Sequence, residues 1–272
     1  MIVIATDSTA YLTRQEAKEL GVVYIPMTYS VDGESYTEGF IKNKEDKETL
    51  CWDSSAFSTS QPMLGSFYKR FKKCRDANFE ILCLTISARL SGTHNNALVC
   101  ARELGDDGIR VVDTKTSAGG MFMLIKQARA LINEGYSLDE TADRLLILRE
   151  KVQTRFSVAD LAPLRRSGRL GLIRQSIGTI LNQRPILTCQ DGAVVYRDIA
   201  RGKNEQMRKL VDAVPENGLE VMVQYFREQD MALEIARRLE QKCGRPISVR
   251  RIGTVLAVHM GFDVVGTLWR EP

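Results

Sequence analysis

The stretch EILCLTISARLSGTHNNALVCAREL, residues 80–104, decides how the chain is read. EILCLTI is a short, nearly continuous apolar run, which suits a strand buried on both faces, and SGTHNNALVCAREL follows as a helix. Between them lies SARLSGT, a loop of hydroxyl side chains that also leads into His94, one of the chain's two histidines. Strand, polar loop and helix in that order make a unit of a parallel sheet wrapped by helices. The same loop poses a chemical question: Ser91 beside His94 is either a nucleophile with its base or a hydroxyl that holds a ligand without reacting.

Working outward, the unit repeats. IVIAT (2–6) is a buried strand ending at Asp7, and TRQEAKEL (13–20) is a helix with Thr13 as cap and Glu16 three residues on. VVYIPMTYSV (22–31) is strand-like and turns at Asp32-Gly33. EDKETLCW (45–52) is expected to be helical, as is PMLGSFYKRFKKC (62–74), with Pro62 in its first turn. IRVVDT (109–114) is a further strand, followed by a long helix from about Ser117 to Asn133 and a helix opened by the capping-box pair Ser137 and Glu140.

Beyond SLDETADRLLILREKV the texture changes. QTRFSVAD (153–160) is a strand, two short helices follow, and RPILTCQDGAVVYRDIA (184–200) is a hairpin with Asp191-Gly192 at its turn. NEQMRKLVDAV and MALEIARRLEQKC are helices around the strand LEVMVQYF, and ISVRRIGTVLAVH (247–259) and DVVGTLW (263–269) are strand-like. The expectation is an α/β protein of two domains, a parallel-sheet α/β domain over 1–152 and an α+β domain over 153–272. No long linker separates them, so they are expected to abut and share a cleft.

Composition excludes several classes of function. At 44% hydrophobic and 26% charged, the 272 residues have ample apolar material for a core and an internal pocket. No run of about 18 apolar residues occurs, and MIVIATDSTA lacks the features of a secretory leader, so a cytoplasmic protein is expected. The six cysteines are scattered without a C-x-x-C pair, which argues against a zinc site or a disulfide framework, and no metal is expected. A net charge of +4 is too small to demand nucleic acid.

Ligands of open parallel sheets bind beyond the carboxyl ends of the strands, where loops enter helices. Three such loops are rich in hydroxyls: DSTA (7–10), SARLSGT (87–93) and DTKTSAGG (113–120); STSQP (58–62) adds a fourth polar helix entry. Each alone reads as an ordinary N-cap. Together they point to an anion site of hydroxyls, backbone N–H groups and helix dipoles. The chain has no G-x-x-x-x-G-K-[ST] phosphate loop and no G-x-G-x-x-G after a strand, which argues against nucleotides and favours a singly charged carboxylate whose remaining affinity comes from apolar burial. A serine hydrolase acting on acyl esters, with Ser91 as nucleophile, is the competing reading, although the G-x-S-x-G elbow is absent.

DSTA, TSQP, ISARLSGT, DTKTSAGG and the late segment from Gly253 to His259, in that order, closely resemble the DegV family of fatty-acid-binding proteins. The resemblance runs from residue 2 to about 266. It implies a fold in which one fatty acid lies in a tunnel between two domains, with its carboxylate held by Thr59, Ser91 and His259. Ser60, Gly92, Thr93, Asp7, Ser8 and Ser117 would belong to the supporting headgroup loops. It also implies a bacterial carrier rather than an enzyme, without a cofactor, expected as a monomer, which presents its ligand to a fatty-acid kinase for acyl-phosphate formation and phospholipid synthesis. Ala88 replaces a serine common in the family, VHMGFD stands where T-H-T-G-P-G is common, and RSGRL keeps Gly168 and Arg169 of a GGRI segment while placing Ser167 at its first glycine. LRRSGRLGLIR (164–174) admits three readings: a solvated basic face, a kinase-docking site using Arg166 and Arg169, or a transient membrane contact beside Leu170, Leu172 and Ile173.

Overall fold

The computed structural model describes residues 1–41, 57–105, 107–171 and 183–272. The helix expected over 45–52 therefore lies outside the described residues, as do Leu172 and Ile173. The chain forms two compact units, Met1–Arg149 and Glu150–Pro272.

The first unit is built on a parallel sheet in the order β2-β1-β6-β7, from Val22–Ile25, Ile2–Asp7, Glu80–Thr85 and Ile109–Asp113. Its central strands are buried on both faces, Ile4, Leu82, Cys83 and Leu84 all being inaccessible to solvent, which is why they read as continuous apolar runs. Alternation sends successive side chains to opposite faces. Ala5, Ile81, Cys83 and Ile109 meet Phe67 and Phe71 of α2 (Leu64–Asp76) and Ala97, Cys100 and Ala101 of α3 (Thr93–Glu103). Against β1, β6 and β7 also lie α4 (Gly119–Asn133) and α5 (Leu138–Leu148). Two helix starts carry the reciprocal caps expected of them: Thr13 with Glu16 at α1 (Arg14–Glu19), and Ser137 with Glu140 at α5.

The expected strand over 22–31 is broken in two. β2 ends at Ile25, Pro26 has no N–H to continue the ladder, and the Met27 amide donates to Ser8 Oγ at 3.0 Å. The chain then starts a separate antiparallel sheet, β4-β3-β5, from Glu34–Thr37, Thr28–Val31 and Phe57–Ser60. Asp32 and Gly33 both take positive φ at its turn, the signature of a tight hairpin. Pro62 likewise lies just outside α2, because Met63 is the capping residue and the helix begins at Leu64.

The second unit is a six-stranded sheet, β10-β9-β8-β13-β11-β12. Its strands are Ala193–Arg201, Gln183–Gln190, Val152–Val158, Val264–Arg270, Leu219–Tyr225 and Ser248–Arg251, and only the β11–β12 pair is parallel. Asp191 and Gly192, both at positive φ, close the β9–β10 hairpin. The helices α7 (Gly202–Asp212) and α8 (Gln229–Cys243) bury Leu210, Ile235 and Leu239 against Ile186, Val223 and Val265.

Two short helices complete the unit: α6 (Ala162–Arg166) and α9 (Thr254–Met260). The second corrects an expectation, since residues 254–259 are helical and not a strand. Gly253 caps the helix in extended conformation, and Thr254, Val255, Leu256 and Ala257 are all buried. With its whole first turn buried, this helix shows no amphipathic period, and its sequence is the same apolar run that a buried strand presents.

The α/β class with a parallel-sheet unit followed by an α+β unit is thus as expected. Gly266 marks the tightest point of the second sheet: a Cβ there would lie 2.6 Å from Phe156 Cβ and 2.9 Å from the Arg155 carbonyl oxygen on the neighbouring strand. Gly266→Ala is expected to destabilise the protein by about 1–3 kcal/mol, the usual cost of overpacking. Thermal denaturation should record this as a fall in Tm; an unchanged Tm would mean that β13 does not pack this closely on β8.

Candidate functional site

The carboxyl ends of three parallel strands converge on the loop that follows β6. Asp7, at the end of β1, is completely buried. Its Oδ1 accepts from the amide and hydroxyl of Thr9 at 3.0 and 2.5 Å, and its Oδ2 accepts from the amide of Ile86 at 2.8 Å. Burial pushes the Asp7 carboxyl above its ordinary range, against the three hydrogen bonds, which favour the anion. Asp113, at the end of β7, holds the same loop from the other side: its Oδ1 accepts from the amides of Ala88 at 3.1 Å and Lys115 at 2.9 Å. The Ser87 amide donates to the Thr116 carbonyl at 2.9 Å.

Residues 86–88 are therefore tied at three consecutive amides, and the rest of the loop is folded upon them. The Leu90 and Ser91 amides donate to the Ser87 carbonyl at 2.9 and 3.2 Å, and the Arg89 amide donates to Ser87 Oγ at 3.2 Å. That places Ser91 one residue before Gly92, the capping position of α3. Ser91 Oγ lies 2.8 Å from Thr93 Oγ1 and accepts from the Thr93 amide at 3.3 Å. Two hydroxyls thus stand at the positive end of an 11-residue helix.

The TSQP segment lies against this helix start. Asn96 Nδ2 donates to the Pro62 carbonyl at 3.0 Å. Gly92 packs on Gln61 so closely that a Cβ at 92 would lie 2.3 Å from Gln61 Oε1. Thr59, half-buried, and Ser60, exposed, precede Gln61 on β5, and Thr59 pairs with the buried Tyr29 of β3. The fold therefore brings the hydroxyl segments 59–60 and 91–93 to one neighbourhood, although some 30 residues separate them.

Ser8 and Ser117 occupy the flanking loops. Ser8 Oγ donates to buried Glu38 at 2.7 Å and accepts from Met27, so its bonds are internal. Ser117 is half-buried, and the next residue, Ala118, takes φ 53, ψ −127 while its amide donates to the Thr9 carbonyl at 2.8 Å.

His94 stands apart from Ser91. Its Nδ1 is 3.1 Å from Thr85 Oγ1, and the hydroxyl of Ser91 is engaged with Thr93, so the geometry does not make a nucleophile and base of them. Burial lowers the His94 pKa, with Asp113 raising it and Arg149 lowering it further.

In the second unit, α6 packs on α9. The exposed Arg169 follows α6, and its guanidinium donates to the Ser167 carbonyl. It also lies near enough to His259, at the end of α9, to add to the burial that lowers the imidazole pKa to about 4. Arg166 is exposed on the last turn of α6. Two residues named from the resemblance for different purposes, Arg169 and His259, are thus neighbours.

Asn96 lies outside the loops that the sequence singles out, and Gln61, Ser87 and Asp113 lie inside them without an individual role. Asp113 had a signal, since it ends its strand as Asp7 ends β1. The other three act through contacts that no local spacing encodes. Among the described residues no group of three or more His, Cys, Asp or Glu is placed to hold a metal ion, and no helix is long and apolar enough to cross a membrane.

Fold and loops define a two-unit α/β protein whose hydroxyl side chains gather at the carboxyl ends of a parallel sheet. The model of the family described as "Uncharacterised protein, DegV family" matches residues 1–271. A DegV domain-containing protein of Lactococcus lactis is 31% identical over 271 residues, covering 95% of this chain and 93% of its own length. One of Halalkalibacterium halodurans is 28% identical over 278 residues, covering 98% of each chain. A solved structure of a DegV family protein from Thermus thermophilus, described for its fatty-acid binding, is 28% identical and superposes with a TM-score of 0.88, covering 100% of this chain and 99% of its own. The chain belongs to the DegV family.

The chain's two histidines allow a direct test of these surroundings. Both imidazoles are expected to titrate below the ordinary 6.5, with His259 near 4. Between those values the unfolded chain takes up the His259 proton before the folded one does. Stability from this group is therefore fully present above about pH 6.5 and falls as the pH drops towards 4. NMR titration of the ring resonances and denaturation of His259→Asn, whose acid loss should be shallower, check this; a ring titrating at 6.5 would place His259 in solvent.

Proposed function

We propose that the protein is a carrier that binds one long-chain fatty acid, holds its carboxylate with Thr59 and Ser91, and presents it to a fatty-acid kinase for acyl-phosphate formation. The observation that carries this reading is the contact of Gly92 with Gln61 and of Asn96 with Pro62, which puts the Thr59 segment beside the Ser91 hydroxyl and the start of α3. Hydroxyls and helix-end amides suit a single carboxylate. Fatty-acid binding by the Thermus thermophilus relative supports the choice of ligand. Thr93 and Gly92 then shape the helix start, Ser60 lies at its rim, and Asp7, Ser8 and Ser117 belong to the loops that hold it in place. His259 enters through the family resemblance, and its neutral imidazole would offer a hydrogen bond without a charge.

The affinity comes from the acyl chain. With about 0.8 kcal/mol per buried CH₂, some 14 methylenes contribute roughly 11 kcal/mol before the cost of immobilising the chain. A carrier of this kind works in the cytoplasm as a monomer, binds its ligand without a cofactor and catalyses nothing itself. Protein purified from a bacterial host should carry one fatty acid visible by native mass spectrometry. Ser91→Ala and Thr59→Ala should each weaken binding by roughly 1.5–3 kcal/mol, the range for a hydrogen bond to a charged group. The double variant should be less than additive if both touch one carboxylate. Acyl-ester turnover abolished in Ser91→Ala would instead establish the hydrolase.

Arg166 and Arg169 are the proposed kinase contacts. Arg169 is exposed near His259, and its guanidinium would pair with an acidic partner or with the phosphoryl group in transfer. Arg169→Ala should leave fatty-acid binding unchanged and lower the rate of acyl-phosphate formation in an assay with the kinase, with an equal or smaller effect at Arg166. An unchanged rate would return these residues to a solvated surface.

A further inference from the structure

The start of α2 carries an apolar tip that packing among the described residues of the first unit leaves exposed. Met63 is 76% exposed, Leu64 39% and Tyr68 41%, whereas the inward-facing Phe67 and Phe71 are 0 and 1% exposed. Leu64 and Tyr68 are one turn apart on the same side of the helix, and Met63 caps it without a side-chain hydrogen bond. The exposed face then turns basic, with Lys69, Lys72 and Lys73. Lys72 is paired with Asp76 at 3.0 Å; among the described residues no ion pair joins Lys69 or Lys73 to a carboxylate.

The spacing matters. At 1.5 Å per residue the apolar side chains occupy the first ~7 Å of the helix and the lysines the next ~7 Å. An interfacial helix buries its apolar side to about 5–10 Å and keeps its cations at the level of the lipid headgroups. We propose that the tip of α2 docks on the surface of an anionic lipid bilayer, Met63, Leu64 and Tyr68 entering the interface and Lys69 and Lys73 pairing with headgroup phosphates.

Charge distinguishes this face from the other exposed apolar pair in the unit. Leu146 and Ile147 on α5 are 40% and 66% exposed, but the exposed charged side chains of that helix are Asp139, Glu140, Asp143 and Arg144, an acidic excess that an anionic surface repels. The proposal rests on the fatty-acid-carrier reading only for its purpose. Thr59 lies four residues before Met63, so a docked tip puts the proposed headgroup residue within about 13 Å of chain from the bilayer.

The test measures vesicle binding and ligand binding separately. Sedimentation of the protein with vesicles of phosphatidylcholine, with and without phosphatidylglycerol, is expected to show binding only when the anionic lipid is present, weakening as salt is added. Lys69→Gln and Lys73→Gln should each lower the partition about fivefold, and Met63→Ser with Leu64→Ser should abolish it. Uptake of fatty acid from solution should be unchanged in all of them, so failure of the carrier reading would appear in that second measurement alone. Binding that ignores phosphatidylglycerol, or variants that bind vesicles as the parent does, would overturn the proposal. So would a parent that is dimeric by light scattering and becomes monomeric on Met63→Ser and Leu64→Ser, since the tip would then be covered by a second copy.

Discussion

A buried carboxylate organises the first unit. Asp7 is completely buried and would be costly there as an isolated charge. It is tolerated because three donors converge on it, two from the turn it opens and one from Ile86 on the adjacent strand's loop. Asp113 repeats the device from the opposite flank through Ala88 and Lys115. A polar loop at a sheet edge is ordinarily the most adaptable part of an α/β protein. Here its first three residues are tied as firmly as a strand, and Ser91 inherits its position from them. Preorganised hydroxyls of this sort avoid the cost of ordering when a ligand arrives.

Much of this architecture is written locally. Strands buried on two faces appear as apolar runs, the boxes at Thr13 and Ser137 announce their helices, and Asp191-Gly192 announces a hairpin. What escapes local reading is set by distant partners. The break at Pro26 and Met27 involves Ser8, and in Thr254–Met260 the burial of the whole first turn hides the helical period. The hydroxyl loops were legible as a group because their residue types are unusual together, but their mutual placement is not. It rests on Gln61 lying against Gly92 and Asn96 reaching Pro62, contacts between segments whose separation carries no periodic signal. His94 illustrates the same limit. Three residues from Ser91 along the chain, its Nδ1 is nevertheless engaged by Thr85.

Arg169 and His259 form a second polar locality. Burial, with the Arg169 guanidinium adding to it, keeps the half-buried imidazole neutral. Gly261, which follows α9, takes φ 85.

Ala118 holds a backbone conformation, φ 53 and ψ −127, that glycine adopts far more readily, and it is secured by the bond from its amide to the Thr9 carbonyl. Thr9 in turn is bound to Asp7. The first turn of the longest helix in this unit and the turn after the first strand therefore share one energetic fate. Opening one strains the other, so their amides are expected to exchange as a single cooperative unit, even though more than a hundred residues of chain lie between them.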